Sequence, residues 1–307
     1  MISLHNEGFI LNYQKTKNLD NFYLEFYLLE TNTFYEKTFL KKSLANIFIS
    51  GGIGKTEIFE KMLKLPKNYY VSSHQFVDDN IEPNIYLTNI TNANINNNSF
   101  YGEIIMKLCK TVPDGIICYF SSIELMEYYI QKWNEQGVFD YVMNDKLLFI
   151  EEQDSLRLAN IMANYKKAVD CGRGGLFLMT TRNKASLLDN TFTGSQSKAI
   201  IFIGFPIETK LSKTFELKLE HYKKNFDIDS KEFLNYDAFR LFSNKISEKI
   251  KNILDKKILV ILDERLISDK FKSYLSTWLH NLIHIDLDKE NSSTDDRIKN
   301  IKRFLSS

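Results

Sequence analysis

Cysteine, proline and glycine are all scarce in this 307-residue chain, which contains 3, 4 and 12 of them respectively. The three cysteines, Cys109, Cys118 and Cys171, cannot build a disulfide framework, and no two of them form a C-x-x-C pair. The sequence therefore excludes a small disulfide-rich scaffold, predicts no structural zinc or other metal site, and favours a reducing compartment. With 44% hydrophobic residues it also excludes a collagen-like or wholly disordered chain.

Charge of one sign and long apolar runs are missing as well. The 40 Lys and Arg residues balance 39 Asp and Glu residues, which leaves a net charge of +1. Binding to a polynucleotide by bulk charge is therefore excluded, and such a ligand would need a local basic groove. No apolar run approaches the roughly 18 to 20 residues that span a bilayer, and residues 1–7 lack the pattern of a secretion signal. We expect a soluble intracellular protein with no membrane partner.

Six short apolar runs alternate with amphipathic stretches along the chain. The runs are continuous in their hydrophobicity, as is typical of strands that are covered on both faces. Their alternation with helical patterns predicts an α/β fold built on a parallel sheet. The runs occupy residues 45–49, 115–120, 147–150, 176–179, 199–203 and 258–262.

Helical patterns fill several of the intervals between these runs. Residues 56–65 have such a pattern, and Ser121 and Glu124 have the spacing of a capping box that begins a helix after the second run. A third helix is predicted by apolar residues that recur on one helical face, at positions 158, 161, 162, 165 and 169.

One combination of segments imitates a P-loop ATPase. An apolar stretch leads to a Gly-Lys-Thr ending, and a later strand ends in the Asp-Glu pair that holds Mg²⁺ in such enzymes. The residues concerned are Gly54, Lys55, Thr56, Asp263 and Glu264. The pattern, however, requires glycine where Ile49 stands, and a β-branched residue cannot supply the anion-binding turn. We favour an ordinary glycine-rich turn and keep a standalone P-loop ATPase as the alternative.

From Val112 onward the chain resembles the second motor domain of XPD-type helicases, the iron–sulfur helicase subunits of transcription factor IIH. Its segments follow the order and spacing of that family's blocks, from motif IV through motif V to the helices that enter motif VI. The matching segments are 112–122, 133–137, 146–154, 165–168, 172–175, 199–206, 217–220 and 233–240. Ser50, Gly51 and Gly52 stand where the family has a Ser-Gly-Thr turn. The resemblance runs from about Gly8 to the C-terminal helix and implies a RecA-like parallel sheet with helices on both faces.

The resemblance divides the chain into three parts. Residues 1–110 are expected to form the N-terminal part of the motor domain, with an Asn-rich insert near 89–99 whose composition is that of an exposed connection. Residues 111–285 are expected to form the RecA-like helicase C-terminal core. Residues 286–307 are expected to form a polar loop and a C-terminal helix.

Two departures from the family bear on ATP hydrolysis. The first is that the 307 residues contain no Walker A half, no Asp-Glu-Ala-His box and no four-cysteine iron–sulfur cluster. The second is the erosion of motif V, where Leu187 and Leu188 replace Glu and Gly, and of motif VI. In motif VI the family's Gln, Gly and two arginines are replaced by Asn244, Ser247, Glu248 and Lys251.

These departures predict that the chain alone does not hydrolyse ATP. An arginine finger contributes roughly 10³ to 10⁵ in rate, and Glu248 reverses its charge, while Lys251 cannot make its planar two-pronged contact. The resemblance thus implies that no cofactor is bound by this chain by itself, and that ATP and Mg²⁺ require a first motor domain in trans on a separate chain.

The resemblance also implies a nucleic-acid surface and partners. Ser121, Ser122, Arg182 and Lys184 would contact the phosphates of single-stranded DNA weakly and without reading sequence. For each there is a plainer interpretation, since Ser121 is suited to cap its helix and the two basic residues to a solvated turn. The expected partners are the subunits of transcription factor IIH, especially its von Willebrand-type regulatory subunit, and the expected location is the nucleus. An interaction module that contacts neither ATP nor DNA remains a third hypothesis.

Overall fold

Two sheets organise the part of the chain that the computed structural model describes. The described residues are 2–6, 9–15, 22–36, 43–65, 85–89, 97–182, 191–208, 210–250, 255–263, 265, 273–276, 278–279 and 294–306. The first sheet is antiparallel and has the order β1-β2-β3, and the second has six strands in the order β4-β9-β8-β5-β7-β6. The strands are β1 Ile2–Asn6, β2 Phe9–Lys15, β3 Phe22–Leu28, β4 Ile85–Asn89, β5 Gly115–Phe120, β6 Leu147–Ile150, β7 Gly175–Thr180, β8 Ala199–Ile203 and β9 Lys257–Leu262.

Every neighbouring pair in the six-stranded sheet is parallel. Most of the connections between strands are helical, because a parallel neighbour can only be reached by a crossover. The helices in the described ranges are α1 Thr31–Tyr35, α2 Thr56–Leu63, α3 Asn97–Thr111, α4 Ile123–Glu135, α5 Val138–Asp145, α6 Ser155–Asp170, α7 Lys213–Phe226, α8 Ser230–Lys249 and α9 Thr294–Ser306.

Side chains alternate between the two faces of the six-stranded sheet, and each face is covered by its own set of helices. Ile117 and Tyr119 of β5 belong to one core, with buried residues of α2, α6, α7 and α8. Ile116 and Cys118 belong to the other core, with buried residues of α3, α4, α5 and α9. Burial on both faces is the reason that these strands are continuously apolar.

The structure confirms the α/β fold with a parallel sheet, and five of the six predicted strands lie in it. The sixth is wrong, because residues 45–49 form no strand and pair with no strand of the described chain. The strand β4 was not predicted, since its five residues, with Thr and Asn at the end, form no distinct apolar run. It pairs with β9, so the 1–110 part contributes both β4 and α3 to the same layers as the 111–285 part.

The start of α4 and the start of α3 differ from the predictions by a few residues. The cap of α4 is Ser122 and not Ser121, because the Ser122 side chain accepts a hydrogen bond from Leu125 N. The predicted box of Ser121 and Glu124 does not form, since the third residue after the cap is Leu125. In the Asn-rich stretch, 90–96 lies outside the described residues, while α3 already begins at Asn97. The helix α9, Thr294–Ser306, lies in the part for which a C-terminal helix is expected, residues 286–307. No helix in the described ranges has both the length and the apolar character needed to cross a membrane.

Candidate functional site

The carboxyl ends of the central strands come together at one edge of the parallel sheet, which is where open α/β sheets bind their ligands. Backbone hydrogen bonds join the segments that leave these strands. Ser121 N donates to Ile203 O at 3.2 Å, and Thr181 N donates to Phe120 O at 3.1 Å. The residues that follow β5, β7 and β8 are therefore held beside one another, and three of the four predicted DNA-contacting residues lie here.

Ser121 and Ser122 lie at the N-terminal end of α4. The Ser122 hydroxyl oxygen accepts from Leu125 N at 3.2 Å, so it satisfies one of the helix's free amides. Gly204, with a φ of +77°, passes so close that a Cβ on it would lie 3.0 Å from the Ser121 hydroxyl oxygen. Glu124 in the first turn is bonded to Lys210 at 2.6 Å, and that hydrogen bond is the main reason that the pKa of Glu124 falls to about 2.

Arg182, directly after β7, is occupied by partners within the protein. Its guanidinium donates to Pro206 O at 2.7 and 3.1 Å and to Asp237 Oδ2 at 2.8 Å. It also lies 3.6 Å from a Glu208 carboxylate oxygen. Arg182 thus joins the end of β7 to the turn after β8 and to α8, which is a different arrangement from a solvated turn.

Asp237 joins Arg182 to Arg240, and these three residues are called here the Asp237 cluster. It accepts from Arg182 and from Arg240, each at 2.8 Å. Burial by itself raises the pKa of Asp237, but the two guanidinium groups outweigh it and hold the pKa below its ordinary value. Lys218 of α7 adds a third cation nearby, whose pKa is lowered by burial among aromatic rings. The fourth predicted contact, Lys184, lies outside the described residues.

The motif VI positions lie on α8. Glu248 is paired with the buried Lys245 at 3.0 Å. Asn244 and Ser247 are covered by the chain's own Ser50–Gly52 turn, since Ser50 donates to Asn244 Oδ1 at 3.1 Å. A Cβ on Gly52 would lie 2.6 Å from Arg240 O and would also collide with Asn244, so this close contact requires glycine. Lys251 lies outside the described residues.

Lys55 and its neighbours do not form a phosphate loop. Lys55 is ion-paired with Glu232 of α8 and lies 5.3 Å from the centre of the Tyr274 ring. The hydrogen bond to Glu232 is the main cause that raises the pKa of Lys55. Gly52 N already donates to Ser50 Oγ at 3.1 Å. Thr56 is simply the first residue of α2, and Gly54 lies against Tyr274 O.

Asp263, the first acidic residue of the P-loop pattern, is also bonded within the protein. Asp263 accepts from Phe205 N at 2.8 Å and from the Arg265 side chain, so it supports the turn after β8. Glu264 lies outside the described residues. A P-loop needs a sheet strand before its glycines and free amides to face the phosphates, and residues 43–50 provide no such strand. The standalone P-loop ATPase is therefore not favoured.

A match to a known protein family covers more than half of the chain. The family described as the helicase C-terminal domain matches residues 105–282. The chain belongs to this family. The match spans the sheet from β5 to β9, and so includes the clustered strand ends and α8.

Relatives of this helicase C-terminal domain include subunits named "General transcription and DNA repair factor IIH helicase subunit XPD". The Arabidopsis thaliana protein is 32% identical over 67% of this chain and 27% of its own length. The Dictyostelium discoideum protein is 28% identical over 99% of this chain and 41% of its own length. The chain therefore spans well under half of these relatives. A solved structure titled XPD_APO covers 87% of this chain and 52% of its own, with 15% identity and a TM-score of 0.55, which shows the shared fold.

Sequence reasoning missed Asp237, Arg240 and Glu232. The spacing of Asp237 and Arg240, three residues apart on one helix, is a signal for an ion pair that could have been used. No signal was available for Arg182 with Asp237 or for Lys55 with Glu232, because these partners are 55 and 177 residues apart.

Proposed function

We propose that this chain acts as the second motor lobe of an XPD-type DNA helicase subunit of transcription factor IIH, in transcription initiation and nucleotide excision repair. Family membership, the RecA-like sheet and the names of the relatives support this role. Since the chain spans only 27% to 41% of those relatives, ATP and Mg²⁺ are expected to bind with a first motor lobe that lies outside these 307 residues. The chain alone is then inactive and serves as a DNA-contacting or scaffold half.

The charge at the family's arginine-finger position is the observation that carries the proposed inactivity. Glu248 stands there, paired with Lys245 at 3.0 Å, and a carboxylate repels the phosphoryl group that an arginine would stabilise. The neighbouring positions Asn244 and Ser247 are covered by Gly52 and Gly51. This face of α8 is therefore poorly suited to hold a γ-phosphate.

Weak binding of single-stranded DNA is proposed at the N-terminal end of α4. Helix N-termini attract phosphate through free amides and the helix dipole, and Ser121 and Ser122 lie at that end. We propose that Lys184 adds charge, and that Arg182, which is held by Asp237 and Pro206 O, positions the segment rather than contacting DNA. Such contacts do not read sequence and weaken as salt increases.

The relatives' names support membership of transcription factor IIH. We propose that the chain associates with the subunits of transcription factor IIH, that the von Willebrand-type regulatory subunit docks on this lobe, and that the location is the nucleus. Co-purification of the tagged chain with that regulatory subunit from nuclear extract tests this directly. A chain that never associates with the complex contradicts the proposal.

Measuring ATP hydrolysis by the purified chain, with and without single-stranded DNA, tests the proposal that the chain alone is inactive. We expect turnover no faster than the buffer blank. We also expect no measurable nucleotide affinity, so that Lys55→Ala leaves nucleotide binding unchanged. Rapid turnover by the chain alone would overturn the proposal.

Fluorescence anisotropy with a labelled oligonucleotide tests the DNA half. The affinity should fall as salt rises, and Lys184→Ala should reduce the slope of log affinity against log salt by about 0.7. Lys132→Ala is the matched control, because Lys132 lies near the opposite end of α4 and is paired with Glu135. Equal slopes for both variants would exclude Lys184 from the contact.

A further inference from the structure

The outer sides of α4 and α5 form an acidic surface that carries exposed aromatic rings. The two helices are consecutive and lie against each other, since the Trp133 ring of α4 is 6.1 Å from the Phe139 ring of α5. From Ile123 to Asp145 they contain five carboxylates and one lysine, which leaves this stretch with a net charge of −4 in a chain whose net charge is +1. The exposed residues that are called here the α4–α5 surface are Glu127, Tyr128, Asp140, Tyr141, Met143 and Asp145.

Three large side chains of the α4–α5 surface are open to solvent. Tyr128 is 42% exposed, Tyr141 66% and Met143 47%. The inner sides of both helices are already packed, because Trp133 and Val142 have no exposed surface, so these three side chains are not needed for the core. Tyrosine and methionine are enriched at protein–protein interfaces, and a tyrosine ring also attracts a cation that lies over its face.

Three exposed carboxylates accompany these side chains. Residues three or four positions apart on a helix are neighbours, so Asp145 lies beside Tyr141. Asp140 has the same relation to Met143, and Glu127 is exposed on α4. Within the described chain none of the three carboxylates forms an ion pair, whereas the other two carboxylates of these helices are each bound to a lysine.

The C-terminal end of α5 adds to the negative potential of this surface. A helix has a partial negative charge at its C-terminus, and α5 ends in Asp145 with no basic residue in its last turn. Arg173 comes close, but it donates to the backbone at Met143 O, at 2.6 Å, and forms no ion pair with a described carboxylate. A cation that binds beside Tyr141 is therefore stabilised both by the carboxylates and by the end of the helix.

We propose that the α4–α5 surface binds a basic segment of another protein, with arginine side chains on the rings of Tyr128 and Tyr141 and beside the exposed carboxylates. Charge decides between the possible occupants. A second copy would bring two negative surfaces together, and the phosphates of a nucleic acid or of an acidic lipid surface would be repelled. Arginine is favoured over lysine, because its planar guanidinium stacks on a ring and pairs with a carboxylate. The inference does not depend on the proposed function.

Selection from a phage-displayed library of random peptides, with the purified chain as the target, tests the inference. We expect the selected peptides to be rich in arginine, and their affinity, measured by fluorescence anisotropy, to fall as salt rises. The double variant Asp140→Asn/Asp145→Asn should bind a selected peptide at least about tenfold more weakly. Tyr141→Ala should weaken the binding by a similar factor, because it removes the ring on which an arginine stacks.

Two further variants are the matched controls. Glu216→Gln/Glu220→Gln removes two exposed carboxylates from α7, and Leu156→Ala removes an apolar side chain that is 80% exposed on α6. Both should bind the selected peptide as the wild type does. Since all the substituted residues are exposed, the unfolding temperatures of the variants should be unchanged, which excludes misfolding as the cause of weaker binding.

Other results would overturn the inference. One is a selection that yields no peptide, or only neutral or acidic peptides. Another is a basic peptide that binds the double variant and Tyr141→Ala as tightly as it binds the wild type. A dimer in sedimentation that Tyr141→Ala abolishes would show that a second copy is the occupant. Binding of a single-stranded oligonucleotide or of phosphatidylserine vesicles that Tyr141→Ala weakens would identify a phosphate ligand instead.

Discussion

Replacing Asp237 by Asn should destabilise the lobe at the carboxyl edge of the sheet. The Asp237 side chain is only 15% exposed and accepts hydrogen bonds from both Arg182 and Arg240. Asn keeps the shape but removes the charge that the two guanidinium groups share, and Arg182 then faces Glu208 at 3.6 Å. Breaking a buried ion pair costs about 3 to 5 kcal/mol. We expect about 3 kcal/mol, the low end, because Arg240 is 43% exposed and can turn to water.

Urea unfolding, followed by the fluorescence of buried Trp133, measures this loss. The pKa of Asp237 is lower in the folded state than in the unfolded state, so its contribution is fully present above the unfolded pKa of about 3.9 and is lost as pH falls through the folded pKa. The difference in unfolding free energy between wild type and Asp237→Asn should therefore be large at pH 7 and smaller at pH 3.

Glu208→Gln is the control for this measurement. Glu208 also faces Arg182, but at 3.6 Å and with more exposure, so its replacement should cost less than about 1 kcal/mol. Two results would refute the inference that the Asp237 cluster stabilises the edge of the sheet. One is a loss below about 1 kcal/mol for Asp237→Asn at pH 7, and the other is a loss that is the same at pH 3.

Three further predictions concern packing, burial and thiol access. Gly52→Ala should cost about 1 to 3 kcal/mol in urea unfolding, because the added carbon meets Arg240 O of α8; an unchanged midpoint would contradict that contact. Burial lowers the pKa of Lys257 to about 8, so the unfolded state binds more protons above that pH, and the stability of wild type relative to Lys257→Met should rise between pH 8 and 10. A flat difference would show that Lys257 is not buried as described. A thiol reagent should label exposed Cys171 quickly and the buried Cys109 and Cys118 only on unfolding, and fast labelling of all three would contradict the core.

The strands of the central sheet were predictable because their environment is uniform. The runs at 115–120 and 199–203 are buried on both faces by the sheet's two helix layers, so composition alone reveals them. The run at 45–49 has the same composition but belongs to neither sheet of the described chain. Local composition specifies that a segment is suited to a strand, but it cannot specify that a neighbour is present.

The residues of the candidate site also differ in whether their contacts depend on neighbouring or on distant residues. The start of α4 was predictable to within one residue: the sequence places the cap at Ser121 and the structure at Ser122, whose bond to Leu125 N spans only three positions. Arg182 was expected as a free cation, but its partners Pro206 and Asp237 approach only when β7, β8 and α8 are assembled. The same holds for Lys55, which the sequence offers to a phosphate and the fold gives to Glu232.

By itself the sequence determined the α/β class, the parallel sheet, the likeness to XPD-type helicases and the loss of arginine at Glu248. Each of these is written in short segments whose hydrophobicity or identity does not depend on distant residues. Only the tertiary structure decided which charged side chains are already paired within the protein. The partners of Arg182 and Lys55 are 55 and 177 residues away in the sequence, so only the assembled fold brings them into contact. It also decided that Leu44, Ile47 and Ile49 are exposed although they are apolar.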